Sequence, residues 1–172
     1  LVAVAALCLA PFAHAQISCD AFKRAVAEAP QHFISRRSSE EVRPGVFKVS
    51  TPLPPLRDCE VFEVDLGGEK LSSLRCSHVS ARKPSEVARA YEHLKGEIEA
   101  CFPKFKASPQ EKNFRRNYPG LRVLREHSLR FDGATGRSVI GMHLTAEDNQ
   151  KPGAKTYHRI MVVIAHRTKQ SI

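Results

Sequence analysis

The chain has 172 residues, a formal net charge of +9 and 42% hydrophobic residues. Its length suits one domain, because domains usually hold about 100–200 residues. The sequence contains no apolar run of the roughly 20 residues that a transmembrane helix needs, and neither a phosphate-binding loop nor a zinc-protease motif. We therefore predict no membrane span in the mature chain, no metal and no cofactor.

The first fifteen residues are expected to be an export signal. They carry no charged side chain, are mostly Ala, Leu and Val, and end in Ala13-His14-Ala15. Small residues at the first and third of these positions form the pattern that signal peptidase reads. We predict a signal peptide over 1–15, a single α+β domain over 16–172, and a periplasmic or secreted location.

Four cysteines follow the predicted signal: Cys19, Cys59, Cys76 and Cys101. An even number of cysteines in an exported chain predicts two disulfides. No C-x-x-C motif occurs and no histidine stands at zinc-finger spacing from a cysteine, which makes a metal cluster the poorer interpretation. Spacing alone leaves three pairings open.

The first predicted helix begins after Ser18, which can cap it, and carries Cys19 and Phe22 on one face. From 31 to 58 the repeated prolines leave room only for a short strand over 46–50. We predict the rest of this stretch as ordered loop.

Two β-rich runs, 59–66 and 70–80, flank Gly67-Gly68. This pattern predicts a hairpin, because both glycines can take the positive φ of a tight turn. Pairing about this turn makes partner numbers sum to 135, and Cys59 and Cys76 satisfy the same sum. They are then opposite each other at a non-hydrogen-bonded position, where Cα atoms about 4.5 Å apart allow a disulfide.

The second predicted helix starts at Pro84, a natural first helical residue, and runs to Cys101 before a further proline. Its apolar stripe includes Cys101, just as the stripe of the first helix includes Cys19. By elimination, Cys19 is expected to bond to Cys101.

Residues 103–119 are polar and contain prolines, and three β-rich runs follow over 121–132, 137–146 and 155–168. Turn residues separate these runs, so a three-stranded antiparallel meander is the simplest topology. The predicted fold class is α+β: an antiparallel sheet made of the hairpin and the meander, with two amphipathic helices on one face and two disulfides.

The strongest functional signal is the basic stretch 103–130, in which aromatic residues are interleaved with lysines and arginines. Guanidinium and ammonium groups suit phosphate and carboxylate partners, and in an exported protein these belong to envelope anions or acidic proteins more than to nucleic acid. The predicted anion-binding or partner-binding residues are Lys104, Lys106, Lys112, Arg115, Arg116 and Arg122. The competing interpretation is a solvated loop.

Two functions are consistent with this sequence. The first is a non-enzymatic exported binding protein with a basic surface for an anionic or acidic envelope partner. The alternative is an enzyme or small-ligand carrier whose sheet-side pocket is assembled from distant residues, for which His127, His143, Arg125 and Tyr157 are candidates. No catalytic motif decides between them.

Overall fold

The computed structural model describes residues 16–112, 116–118, 121–133, 137–151 and 153–169, without the side chains of 110–112, 116–118, 121, 125 and 169. The predicted signal peptide lies outside these residues. The described chain forms a mostly antiparallel sheet with two helices, a short 3₁₀ turn over Ala29–Gln31 and two disulfides.

The strands are β1 (Arg37–Arg43), β2 (Val46–Val49), β3 (Arg57–Asp65), β4 (Glu69–Ala81), β5 (Lys106–Lys112), β6 (Arg116–Tyr118), β7 (Leu121–Asp132), β8 (Ser138–Asp148) and β9 (Tyr157–Lys169). They form one sheet in the order β1-β2-β3-β4-β9-β8-β7-β5, and β6 pairs with β7.

Helix α1 spans Cys19–Glu28, and the side chain of Ser18 accepts a hydrogen bond from the Ala21 backbone N–H at 3.3 Å. Helix α2 spans Pro84–Cys101 and starts at its proline. A disulfide joins Cys19 to Cys101 and therefore ties the start of α1 to the end of α2. Neither helix is long and apolar enough to cross a membrane, within the part of the chain described.

The β3–β4 hairpin follows one register from Glu60↔Arg75 to Asp65↔Lys70, in which partner numbers sum to 135. The second disulfide joins Cys59 to Cys76, with 4.1 Å between the Cα atoms. The disulfide bridges the hairpin at the end away from its turn.

The prediction of loop over most of 31–58 is wrong, because β1 lies within it. The interpretation of 103–119 as solvated loop is also wrong, because β5 and β6 lie within it. Strands β1 and β5 stand at the two ends of the strand order, where only one side of a strand is paired and charged residues or proline are tolerated. Pro109 of β5, which pairs with Leu129 of β7, is consistent with an edge position, because proline has no backbone N–H to donate to a strand on its other side.

Alternation along the central strands separates two faces of the sheet. Leu74, Ile140 and Ile164 share the face that we call the core face, and they are buried together with Phe22 of α1 and Leu94 of α2. The residues between them point to what we call the outer face.

Candidate functional site

A row of polar side chains crosses four strands on the core face. Glu63 of β3 pairs with Ser72 of β4, Ser72 pairs with His166 of β9, and His166 pairs with Ser138 of β8. Paired residues on one face have Cβ atoms about 4.5–5.5 Å apart. The row closes one end of the apolar core, where Ser72 and His166 are buried.

A fifth polar group reaches this row from outside the sheet. His32 follows the 3₁₀ turn, and its Nδ1 lies 2.5 Å from Ser72 Oγ. Both His32 and Phe33 have positive φ, +57° and +54°, a conformation that residues other than glycine rarely adopt. This backbone conformation places Phe33 in the core, where it is fully buried, while His32 covers Ser72.

The row therefore contains two serine–histidine pairs. Besides His32 and Ser72, Ser138 Oγ lies 2.9 Å from His166 Nδ1. The carboxylate of Glu63 is engaged elsewhere: it accepts from Arg37 at 2.6 Å and pairs with Lys70 at 2.9 Å. A serine–histidine–acid triad needs the acid on the histidine, and no such contact with Glu63 is present among the described residues. We interpret the row as a polar network that closes the core.

Burial, together with neighbouring positive charge, lowers the pKa of both histidines. Burial lowers the pKa of His32, and nearby Lys70 and Arg37 lower it further against the opposing charge of Glu63. Burial also lowers the pKa of His166, with His32 and Arg137 adding to the effect. Both imidazoles consequently favour the neutral form.

The pKa of Glu63 is also lowered, which for a carboxyl group favours the charged form. Burial acts to raise the pKa of its carboxyl, but the hydrogen bonds and charges of Lys70 and Arg37 outweigh this and lower the pKa overall. The row thus combines one ionised carboxylate with neutral histidines.

The described carboxylates of the basic C-terminal part form ion pairs within the fold. Residues 103–172 hold five acidic residues, of which four have described side chains. Each of these four has a basic partner: Glu126 with His143, Asp132 with Arg130, Glu147 with Arg159, and Asp148 with Arg122.

Seven lysines and arginines with described side chains in the same part are exposed: Lys104, Lys106, Arg122, Arg137, Lys151, Lys155 and Arg167. Strand pairing brings three of them to the same end of the sheet. Lys106 pairs with Asp132 at the end of β7, Arg137 precedes the next strand, and the Arg167 N–H donates to the Arg137 carbonyl at 3.3 Å. We call Lys104, Lys106, Arg137 and Arg167 the basic end of the sheet.

The predicted anion-binding residues are only partly described. Lys104 and Lys106 are exposed at the basic end. Arg122 instead binds Asp148, donating from Nη2 at 2.6 Å and from Nε at 3.2 Å, and these hydrogen bonds lower the pKa of Asp148. The side chains of Lys112, Arg115 and Arg116 lie outside the described residues.

The residues proposed for a sheet-side pocket do not all converge. His127 lies edge-on to Tyr91 of α2, with ring centroids 5.6 Å apart. His143 pairs with Ser128 in the adjacent strand register, so it points to the outer face, and its Nδ1 lies 2.8 Å from Glu126 Oε1. Tyr157 pairs with Glu147, and the side chain of Arg125 lies outside the described residues.

Sequence reasoning missed the serine–histidine row. The hairpin register could have placed Ser72 opposite Glu63, since their numbers sum to 135. His166 and Ser138 depend on the pairing of β9 with β4 and β8, which no local motif specifies.

Comparisons with protein-family models, curated proteins and solved structures found no match for this chain. Among the described residues, no group of three or more His, Cys, Asp or Glu side chains could hold a metal ion.

Proposed function

We propose that this is an exported, non-enzymatic binding protein that engages an anionic or acidic envelope partner through a basic surface centred on the basic end. In this proposal residues 1–15 act as the signal peptide, and the mature protein works in the periplasm or outside the cell. The two helices cover the core face of the sheet and leave the outer face to the partner.

The observation that carries the proposal is the separation of charge in the C-terminal part. Its four described carboxylates are held by basic partners, whereas Lys104, Lys106, Arg137 and Arg167 are exposed at one end of the sheet. Clustered cations of this kind attract polyanions and accelerate their association.

The two disulfides support the oxidising location, because structural disulfides persist mainly in secreted and periplasmic proteins. Of the other predicted residues of the basic segment, Lys112 and Arg116 pair with Glu126 and Val123 of β7, away from the Asp132 end where Lys106 lies. The proposal therefore rests on the basic end, and the contribution of Lys112, Arg115 and Arg116 is tested separately. Arg122 contributes less, because Asp148 neutralises it.

The test measures retention of the oxidised protein on vesicles with anionic lipid and on a polyglutamate surface, at low and physiological salt. The first variant replaces the basic end with glutamine: Lys104→Gln, Lys106→Gln, Arg137→Gln and Arg167→Gln. The control removes the same charge from exposed residues elsewhere: Lys23→Gln, Arg24→Gln, Arg82→Gln and Arg89→Gln.

We expect retention that weakens with salt, is lost in the first variant and persists in the control. Retention on only one surface identifies lipid or acidic protein as the partner class. Equal loss in both variants would mean that net charge alone causes retention, and would refute the basic end as a binding surface. A third variant, Lys112→Gln with Arg115→Gln and Arg116→Gln, measures the contribution of the remaining segment.

A further inference from the structure

A cleft of about 290 Å³ lies between the end of β2 and the start of β3. It shares no residue with the basic end. The lining residues are Lys48, Val49, Pro52, Leu56, Arg57, Asp58 and Cys59. Their chemistry combines an apolar floor with side chains of both charges, which is typical of a site for a small ligand of mixed character.

Arg57 and Asp58 are adjacent in sequence, and both line this cleft. In a regular strand their side chains would point to opposite faces of the sheet, but Asp58 has φ +48° and the β3–β4 register shifts between Arg57 and Glu60. Bulges of this kind re-aim side chains and occur beside functional sites. The irregularity brings a cation and a carboxylate to one cavity.

The floor of the cleft is held in place by its surroundings. Leu56 is buried, and its backbone N–H donates to the Leu53 carbonyl at 2.8 Å. On the other side, Cys59 is fixed to Cys76 by the disulfide. Such a site needs little ordering when a ligand binds, which favours affinity.

The two cations of the cleft differ in availability. Lys48 already pairs with Glu40, with 2.6 Å between Nζ and Oε1. Arg57 is exposed and offers the planar fork that binds a carboxylate with two hydrogen bonds. Asp58, also exposed, is the complementary group for an ammonium.

We propose that this cleft binds a small zwitterion with an apolar body, of the class of free apolar α-amino acids. The ligand carboxylate meets Arg57, its ammonium meets Asp58, and its side chain rests on Val49, Pro52 and Leu56. At about 30 Å³ for each water-sized group, the cleft holds on the order of ten non-hydrogen atoms, which matches a ligand such as leucine.

The test titrates the isotope-labelled, oxidised protein with L-leucine and follows the backbone amide signals of Val49, Leu56 and Cys59 by NMR. Two analogues each remove one charge: N-acetyl-leucine lacks the ammonium and leucinamide lacks the carboxylate. Leucine is expected to shift these signals, and both analogues to bind about tenfold more weakly, the scale of one lost charge-assisted hydrogen bond.

Two variants test whether Arg57 and Asp58 bind the charged groups of the ligand, and a third variant serves as control. Arg57→Gln and Asp58→Asn should each weaken leucine binding about tenfold, and asparagine tolerates the positive φ at this position. Arg82→Gln, at an exposed site outside the cleft, should leave binding unchanged.

Three results would overturn the proposal. They are no shift of the cleft signals with leucine, equal binding of leucine and N-acetyl-leucine, and leucine binding that is unaffected in both charge variants. Because the analogue comparison uses the unaltered protein, it holds even if a variant fails to fold. None of these results bears on retention at the basic end, so the two proposals can fail separately.

Discussion

Ser138 and His166 face each other across β8 and β9, with the serine Oγ 2.9 Å from His166 Nδ1. On its other side His166 faces Ser72 of β4, which His32 covers. The two histidines are thus part of one network at the end of the core, where burial, with nearby positive charge, lowers the pKa of each.

This network predicts that stability depends on pH near neutrality. Both histidines have an ordinary pKa of 6.5 in the unfolded chain and a lower pKa in the folded protein, so the unfolded chain binds more protons below that value. The stability that the neutral histidines contribute is therefore fully present above about pH 6.5. The free energy of unfolding falls as pH decreases through 6.5 toward the folded-state pKa. Glu63, whose lowered pKa starts from 4.5, acts only at more acidic pH.

Urea unfolding between about pH 7.5 and 5.5 measures this dependence. Replacing both histidines, His32→Gln and His166→Gln, should flatten it, whereas His93→Gln, at a half-exposed position on α2, should not. An unchanged pH dependence in the double variant would show that other groups cause it.

The sequence predicts those parts of the fold that depend on local signals. Helix α2 begins at Pro84 and ends at Cys101, as the proline and the apolar spacing indicate, because both act within a few residues. The paired glycines at 67 and 68 indicate the register of β3 with β4 for the same reason.

Long-range pairing explains what the sequence does not predict. Strand β1 has the sequence RSSEEVR, which lacks alternating apolar residues, since an edge strand need not bury a face. The row from Ser72 to His166 joins residues 94 positions apart, and neither residue belongs to a motif. Only the folded sheet brings them together.

The two disulfides should contribute unequally to stability. Cys19 and Cys101 are separated by 82 residues, and Cys59 and Cys76 by 17. On the chain-entropy account the longer loop contributes about 4.5 kcal/mol and the shorter about 3 kcal/mol. Urea unfolding of Cys19→Ala with Cys101→Ala, against Cys59→Ala with Cys76→Ala, should show the larger loss in the first variant. The reverse order would mean that packing around the hairpin disulfide outweighs loop closure.

The ion pair between Glu28 and Arg36 should contribute far more to stability than an exposed pair does. Arg36 is buried, donates to both carboxylate oxygens of Glu28 at 2.8 and 3.1 Å, and donates to the Thr51 carbonyl. Glu28→Gln leaves a buried guanidinium without its counter-charge, which should lower the free energy of unfolding by about 3–5 kcal/mol.

The matched control is Glu40→Gln, which breaks the exposed pair with Lys48 and should cost at most about 1 kcal/mol. Both are measured by urea unfolding at neutral pH. Similar costs for the two variants would indicate that water reaches Arg36 in solution.

Gly141 provides space for the imidazole of His143. A Cβ at this position would stand 2.9 Å from His143 Nε2, so Gly141→Ala should displace the ring and break its 2.8 Å contact with Glu126. Because the displaced atom is the far end of a partly exposed side chain, the cost should be about 1 kcal/mol, the scale of one lost hydrogen bond. In contrast, Gly96 lies inside α2, and apart from adjacent residues and the helix backbone a methyl group added there would meet no atom within 4 Å. Gly96→Ala should therefore stabilise the protein by about 0.5–1 kcal/mol. Urea unfolding measures whether each substitution raises or lowers the free energy of unfolding, and NMR of the His143 ring reports its displacement. A neutral Gly141→Ala with an unmoved ring would show that the glycine is not required to seat His143.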